Sequence, residues 1–173
     1  MKILKTPISE ADIDTLSVGD MVLITGSVFC GRDAVLPKVQ QALRDGTLSG
    51  LGIDLTGGVI FHTAVSVAGV GPTSSNKLEI ESSIGPLSEA GVKLHLGKGA
   101  LSRATVEALD RFHSVYAVIP PVTALLGVKT ASQRLAAFPE LGMVALYELQ
   151  SEGYPAIIAA AHGRSIYDQE AEV

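Results

Sequence analysis

Short apolar runs alternate along the chain with stretches in which apolar residues recur at helical spacing. The runs predict strands over 21–26, 59–65, 92–96, 114–119, 133–137, 143–149 and 155–161, and residues 65–71 either continue the second strand or bend back as its partner. The spacing predicts helices over 8–19, 31–45, 78–90 and 102–112, and a short helix over 122–126. This order indicates the α/β class, with a mixed sheet flanked by helices and a β-rich carboxyl end.

Three local signals refine these elements. Proline is tolerated only near the first turn of a helix, so Pro37 indicates that the second helix starts near Leu36. The pair Gly85-Pro86 is expected to break the third helix, and the stretch 151–154 is expected to turn the last two strands into a hairpin.

Composition limits the class of protein. The chain has 173 residues, of which 47% are hydrophobic and 18% charged, which suits a single domain over 1–173 with a sizeable core. A surplus of apolar residues fits either a surface for a partner or a core filled with small residues, and we weigh these equally. No apolar run approaches the ~20 residues that span a bilayer, and no signal peptide is recognisable, so we expect a soluble, cytoplasmic protein.

Charge and cysteine content exclude further classes. The net charge of −5, the lack of a basic stripe and an aromatic content of 5% argue against binding to nucleic acid. The only cysteine, Cys30, excludes an internal disulfide and any cysteine-ligated zinc or iron–sulfur site built by this chain alone. As a lone cysteine it is expected to be a small buried residue rather than a nucleophile.

The triplet Gly97-Lys98-Gly99 follows an apolar strand and places one flexible cation at a tight bend. Glycines on both sides allow a sharp turn and a close approach of an anion to the backbone. Two other glycine-rich corners also follow apolar runs and carry the cations Arg32 and Lys77. In α/β sheets, ligands bind where loops converge at strand ends, so three cations on such loops suit a dicarboxylate or hydroxy-dicarboxylate. The alternative is three solvated loop charges.

Several blocks carry a resemblance to a known family. They are Thr6-Pro-Ile-Ser-Glu-Ala-Asp-Ile13, Leu16 to Ser27, Arg32-Asp33, Ile53 to His62, Gly71-Pro72-Thr73-Ser74, Val92 to Gly99 and Tyr154 to Ile158. In this order and spacing, they resemble the β subunit, or C-terminal domain, of the iron–sulfur class I fumarases and L(+)-tartrate dehydratases.

The resemblance implies a swivelling β/β/α domain and an α subunit, or N-terminal domain, that holds a [4Fe–4S] cluster. In that family the open iron of the cluster acts as a Lewis acid on the substrate, and the β part clamps the substrate. Carried over by motif, Arg32, Thr73, Lys77 and Lys98 would bind the carboxylates, and Thr73 would also take part in proton transfer. The chain itself would bind no metal.

Three departures from the family pattern stand beside this resemblance. Lys77 replaces the usual arginine, which keeps the charge but loses the bidentate fork. Leu36 replaces a histidine that usually follows the Arg-Asp pair, and the segment 61–71 is short. These changes suggest a different substrate, a divergent branch or a homologue that has lost catalysis.

The histidines are assigned structural roles from sequence. His62 and His95 lie within strand patterns and are expected in the core or on a sheet face, whereas His113 and His162 are expected in solvent at element ends. The leading hypothesis is therefore a hydro-lyase β subunit, with a homo-oligomer as one option. The alternatives are a stand-alone swivelling domain that binds an anion or a partner protein, and a domain of a different cluster-dependent dehydratase.

Overall fold

The computed structural model describes residues 1–66, 69–73, 77–119, 126 and 128–168, and within 64–80 the description covers only backbone. The strands are β1 Lys2–Lys5, β2 Met21–Cys30, β3 Val59–Phe61, β4 Thr63–Ser66, β5 Gly69–Thr73, β6 Leu94–Gly97, β7 Val115–Val118, β8 Thr130–Ala137, β9 Leu146–Ala161 and β10 Arg164–Ser165. The α-helices are α1 Glu10–Asp14, α2 Leu36–Asp45, α3 Lys77–Glu89 and α4 Arg103–Arg111, and 3₁₀ turns lie at Ser49–Leu51 and Pro139–Val144. The predicted helix over 122–126 lies, except for Leu126, outside the described residues.

The main sheet closes into a ring. Strands β2, β3, β6 and β7 are parallel neighbours, and the long strand β9 pairs antiparallel with both β7 and β2. Strand β1 adds to β2, whereas β8 and β10 add to β9. Strands β4 and β5 form a separate antiparallel hairpin, which confirms that the chain bends back after the second predicted strand. The predicted α/β class, a mixed sheet flanked by helices, is confirmed.

Apolar side chains pack on both sides of this ring. One core cluster fills its inside, with Val28, Phe61, Leu96 and Tyr154 among its members, and α1 contributes Ile13. A second cluster lies between the sheet and helices α2 and α3, and a third lies beneath α4. The result is a β/β/α order of layers in which three helices cover one side of the parallel strands. No helix in the described part of the chain is long and apolar enough to cross a membrane.

Local sequence signals explain where the helices start and end. Helix α2 begins at Leu36, as Pro37 indicated, and ends at Asp45, where the capping residue Gly46 has a φ of 72° that favours glycine. Helix α4 begins after Ser102, whose hydroxyl accepts a hydrogen bond from the amide of Thr105 at 3.3 Å. Helix α1 has a capping box on Ser9, but it is shorter than the predicted 8–19 because the chain leaves the helix after Asp14.

The predicted hairpin over 151–154 is wrong, because β9 runs through it as one strand. Gly153 has a φ of 80° and is the extra residue of a β-bulge, since Ile24 pairs with Tyr154 and Thr25 with Glu152. The residues that suggest a turn therefore serve a bulge within a continuous strand. The preceding predicted strand also starts later, at Leu146, because the 3₁₀ turn occupies the residues before it.

The predicted break at Gly85-Pro86 is also wrong, because α3 continues through it to Glu89. Pro86 is exposed, so its ring meets solvent rather than a neighbouring element. Water can then reach the backbone carbonyl that loses its donor, which lowers the cost of proline in a helix.

One polar cluster joins α1 to the end of α4. Lys93 is buried, and its Nζ lies 2.5 Å from Oε1 of Glu10 and donates to the carbonyl of His113 at 3.2 Å. His113 also pairs with Glu10 and, at 2.8 Å, with Asp14, which together raise the pKa of its imidazole, Glu10 having the larger effect. The expectation that His113 is simply solvated is therefore corrected: it is an ion-paired connector. The other end-of-element histidine, His162, is exposed, and its Nε2 lies 2.9 Å from the carbonyl of Leu16.

The expectation for the other two histidines is confirmed, because both lie in the core. His95 on β6 and His62, which directly follows β3, are fully buried, with Nε2 of His62 3.1 Å from Nδ1 of His95. Nε2 of His95 lies 2.9 Å from Oγ of Ser88 on α3. Burial lowers the pKa of His62 to about 4 and lowers that of His95 well below its usual value, with the neighbouring His62 as a second cause. Both rings are therefore neutral at pH 7.

The two lysines of the Val92–Gly99 block should differ in their effect on stability. We expect Lys93→Met to lower the free energy of unfolding by about 1–2 kcal/mol, because it removes buried charge-assisted hydrogen bonds. Lys98→Met, at an exposed position, should change it by less than about 0.5 kcal/mol. Urea denaturation at pH 7 measures both variants, and equal losses would contradict the structural role of Lys93.

The buried histidines His62 and His95 should make the free energy of unfolding depend on pH. The unfolded chain protonates His62 near its ordinary pKa and the folded chain only near 4, so stability is complete above pH 6.5 and falls as the pH decreases toward 4. We expect His62→Asn to remove about 2 kcal/mol of the difference in unfolding free energy between pH 7.5 and 5. Denaturation series at both pH values test this. Ser88→Ala, which removes a partner but no titrating group, should lower stability equally at both, and an unchanged pH dependence in His62→Asn would refute the explanation.

Candidate functional site

The carboxyl ends of the four parallel strands form one aligned edge, which we call the carboxyl edge. Cys30, Phe61, Leu96 and Ala117 lie abreast in the registers of β2, β3, β6 and β7. Backbone hydrogen bonds extend the alignment one residue further: Gly31 donates to Phe61 at 3.1 Å and His62 to Leu96 at 3.0 Å. The loops that follow these strands therefore leave the sheet side by side, the geometry in which α/β proteins bind ligands.

Arg32 is the first side chain after β2. Its carbonyl accepts hydrogen bonds from the amides of Val35 at 3.1 Å and Leu36 at 3.0 Å, which turns the chain into α2. The preceding Gly31 is needed for packing, because a Cβ there would lie 2.7 Å from Cγ1 of Val35. The guanidinium is a third exposed, and its nearest acid is Asp33, with Nε 3.8 Å from Oδ1. Such a loose pair leaves donors of Arg32 available to an anion.

Lys98 lies at the turn after β6 and is exposed. A Cβ at Gly97 would lie 3.2 Å from the hydroxyl oxygen of Tyr116, and that hydroxyl donates to the carbonyl of Gly99 at 3.1 Å. Gly99 has a φ of 81°, which favours glycine. Tyr116 thus packs against the turn and holds the backbone that carries Lys98. Sequence reasoning missed this role because no local pattern links residue 116 to residue 98.

Thr73 and Lys77 reach this edge through the hairpin and the start of α3. Thr63, directly after His62, pairs with Thr73 in the β4–β5 ladder, so the backbone of Thr73 lies beside the end of β3. Lys77 is the first residue of α3. One turn later, Glu81 accepts a hydrogen bond from the amide of Ser102, which ties α3 to the start of α4.

Of the four sequence-predicted residues, Arg32 and Lys98 therefore lie at the carboxyl edge, the backbone of Thr73 is paired beside it, and Lys77 begins the helix that Glu81 ties to the start of α4. For Thr73 and Lys77 the structure describes the backbone. The backbones of Arg32 and Lys98 are two strand spacings apart, roughly 10 Å.

Helix direction adds to the positive potential of this edge. Helices α2 and α4 begin soon after β2 and β6, and α3 begins after the hairpin, so three amino-terminal ends face the same side. Each helix amino terminus carries a partial positive charge and unpaired amides, which favour an anion nearby. Together with Arg32 and Lys98, they make the edge suitable for carboxylates.

The buried histidine pair also ends at this edge, since His62 lies between Gly31 and Gly97 in the aligned row. Its Nδ1 is fully enclosed and has no hydrogen-bond partner among the described residues. Sequence reasoning placed both histidines in the core but did not connect them, because they are 33 residues apart and meet only through the parallel register of β3 and β6.

The described residues do not provide a site for a metal cluster. No group of three or more histidine, cysteine, aspartate or glutamate side chains is gathered in the described part of the chain. Cys30 is enclosed in the core of the ring, and burial raises the pKa of its thiol, so it lacks both access and thiolate character.

A second concavity, of about 590 Å³, lies beside β2 where neither β1 nor β3 pairs with it. Its charged lining residues are the acids Asp54 and Glu148, and Glu148 is already paired with Arg134 at 2.6 Å and with the hydroxyl of Ser27. An anion would find no free cation among these groups, so the carboxyl edge is the better candidate.

Comparisons with known proteins show which family the chain is similar to. The family model described as Fumarase C-terminus matches residues 2–170. The chain is 30% identical over 153 residues to the L(+)-tartrate dehydratase subunit beta of Escherichia coli strain K12, covering 82% of this chain and 73% of that protein. It is 25% identical over 177 residues to the putative L(+)-tartrate dehydratase subunit beta of Methanocaldococcus jannaschii, covering 94% and 89%.

A longer relative carries the same region as one part. The match to the putative fumarate hydratase class I of Geobacillus stearothermophilus is 32% identical over 124 residues, covering 65% of this chain and 22% of that protein. The matched relatives are named as hydro-lyases or their β subunits. From its sequence and its fold, the chain belongs to the fumarase C-terminal family of hydro-lyase β subunits and domains.

Proposed function

We propose that this chain is the β subunit of an iron–sulfur-dependent hydro-lyase of the fumarate hydratase or tartrate dehydratase type. It acts on a small hydroxy-dicarboxylate and supplies carboxylate-binding residues to a site shared with an α subunit. The whole of residues 1–173 forms one domain in this proposal, and the enzyme works in the cytoplasm. Without its α partner, the chain is inactive.

The observation that carries the proposal is the convergence of the family's motif residues on one edge. Arg32 and Lys98 follow β2 and β6, the parallel strands on either side of β3, the backbone of Thr73 is paired beside the end of β3, and the first residue of α3 is Lys77. Three helix amino termini face the same side. Two negative carboxylates would gain from both the side-chain cations and the helix ends.

The chain's own residues bind and orient the substrate. Arg32 would hold one carboxylate with its planar fork, and Lys98 and Lys77 would act as point charges on the carboxylates. Tyr116 contributes indirectly, because its hydroxyl holds the turn that carries Lys98. Fixing both ends of a short diacid leaves its central carbons in a defined position for the reaction.

Thr73 would take part in proton transfer at the carbon next to a carboxylate. A threonine hydroxyl is a weak base at its ordinary pKa, so it needs nearby positive charge to become effective. The start of α3 and the cations of the carboxyl edge provide that charge in this proposal.

The [4Fe–4S] cluster belongs to the partner in this proposal, because the described residues of this chain offer no ligand set for it. When bound in the α subunit, the cluster would supply Lewis-acid chemistry toward the substrate hydroxyl. Removing water breaks the carbon–oxygen bond and releases a proton from the neighbouring carbon, and this chain contributes to the second part.

Anaerobic reconstitution with a cluster-bearing α subunit tests the assignment. We expect a stable complex that turns over fumarate or tartrate, with kcat/KM about 10- to 100-fold lower in Lys98→Ala and Arg32→Ala, the range for losing a charge-assisted hydrogen bond. The matched control is Arg164→Ala, an exposed cation on β10 that follows the carboxyl-terminal end of β9 and lies away from the carboxyl edge. It should keep the activity of the parent.

Two results would contradict the proposal. Failure to associate with any cluster-bearing α protein would favour the stand-alone domain that binds an anion or a partner protein. An active complex whose turnover is unaffected by both Lys98→Ala and Arg32→Ala would move the carboxylate site elsewhere.

Lys77 gives a separate test of charge against shape. If it acts as a point charge, Lys77→Arg should keep kcat/KM within about threefold, and Lys77→Ala should lower it about tenfold. Steady-state kinetics of the reconstituted complex with both variants measure this. Equal activity of Lys77→Ala and the parent would remove Lys77 from the site.

A further inference from the structure

The inference concerns the enclosed chain of side chains Ser88–His95–His62. Its three members are linked by contacts of 2.9 Å and 3.1 Å, and each is at most 2% exposed. This series of three side chains begins with Ser88 on α3, passes through His95 on β6 and ends at Nδ1 of His62, which has no partner among the described residues.

An imidazole nitrogen left unpaired in the interior is costly. Burying a polar group without a hydrogen bond destabilises a protein by about the strength of the missing bond, and such groups are rare in folded chains. The other side-chain polar atoms of these three residues have partners, so the missing hydrogen bond is confined to Nδ1 of His62, the residue that directly follows β3.

The position of His62 relates its unpaired Nδ1 to the proposed ligand. His62 follows the end of β3, and the strands on either side of β3 lead directly into the Arg32 corner and the Lys98 turn. Each is one strand spacing away, about 5 Å in the backbone. A dicarboxylate held between the two cations would therefore lie over the strand that carries His62.

Hydrogen-bond polarity can run in one consistent direction along the chain. A neutral imidazole has one N–H and one acceptor nitrogen. If the hydroxyl of Ser88 donates to Nε2 of His95, then Nδ1 of His95 carries the hydrogen and donates to Nε2 of His62. Nδ1 of His62 must then carry a hydrogen and act as a donor.

We propose that Nδ1–H of His62 donates a hydrogen bond to a carboxylate oxygen of the bound dicarboxylate, and that Ser88, through His95, fixes the tautomer that allows it. Because Nδ1 is enclosed in the chain alone, the contact forms only when the groups that cover it move aside in the assembled, ligand-bound site. The inference rests on the proposed function, because the ligand is the dicarboxylate of that site. His62 is thus a substrate-binding residue, and His95 and Ser88 are positioning residues.

The tautomers are measurable without catalysis. Long-range ¹H–¹⁵N correlation spectra of the histidine-labelled chain at pH 7 should show both His62 and His95 as Nδ1–H tautomers, with assignments from His62→Asn and His95→Asn. Ser88→Ala should shift both rings toward the Nε2–H form. An Nε2–H tautomer of His62 in the parent chain would overturn the proposal, because Nδ1 would then be an acceptor facing an anion.

Two substitutions at His62 separate the ends of the ring. The amide nitrogen of Asn can replace the Nδ1–H donor, whereas the amide oxygen of Gln can replace Nε2 as the acceptor from His95. We therefore expect His62→Asn to keep the inhibition constant for succinate, a non-reacting dicarboxylate, within about twofold in the reconstituted complex. His62→Gln should keep the contact with His95 but raise the inhibition constant for succinate by about three- to tenfold, the range expected for the loss of one neutral hydrogen bond. Thermal unfolding of each variant checks that it folds.

The outcomes distinguish this inference from the proposed function. If Arg32→Ala and Lys98→Ala weaken succinate binding but His62→Gln does not, Nδ1 of His62 contacts only an ordered water. The inference then fails, and the proposed function does not. If no variant changes succinate binding, or succinate does not bind to the complex, both proposals fail. A lower affinity for succinate in His62→Gln, with the affinity preserved in His62→Asn, would support the hydrogen bond from Nδ1–H of His62 to a carboxylate.

Discussion

Backbone hydrogen bonds that keep β2, β3, β6 and β7 in parallel register are the constraint on which the rest of the structure depends. The closing partner of these strands is β9, whose first part pairs with β2 and whose last part pairs with β7. A closed ring has no freedom to slip by one residue, since a slip would turn every inward side chain outward. The alignment of the carboxyl edge follows directly from this closure.

The same register determines the polarity of the helices and the pairing of the buried histidines. Each parallel crossover returns the chain through a helix that runs opposite to the strands, so α2, α3 and α4 all begin at the carboxyl edge. His95 lies opposite Ile60 in the ladder, and His62, two residues after Ile60 and directly after β3, has its side chain on the same face of the sheet. The register of the two strands is therefore enough to explain why His62 and His95 meet beneath Ser88 of α3.

Features with local causes could be predicted from sequence. Helix α2 starts at Leu36 because proline fits a first turn, and α4 starts after Ser102 because a serine hydroxyl caps free amides. The three glycine-rich corners were found because glycine is required where the chain turns tightly after a strand. Their meeting at one edge follows from the parallel order of the strands.

Features with long-range causes could not be predicted in this way. Gly153 and Pro155 look like a turn, yet Ser151 satisfies the carbonyls of Ile24 at 3.0 Å and Gly26 at 3.1 Å across the bulge. Those acceptors are more than 120 residues away in sequence, so no local pattern contains them. The roles of Tyr116 under the Lys98 turn and of Lys93 at the end of α4 depend on tertiary contacts for the same reason.

The distribution of charge explains how an acidic chain can attract an anion. The net charge is −5, yet some acids away from the carboxyl edge are neutralised in place, as Glu148 is by Arg134 and Glu10 by Lys93 and His113. At the carboxyl edge, Asp33 only loosely offsets Arg32, and Lys98 has no ion-pair partner among the described residues. Charge interactions fall off over about 8–10 Å in physiological salt, so the local surplus rather than the total decides what binds there. A small dianion therefore meets a positive edge on a negative protein, and the remote acids oppose its approach only weakly.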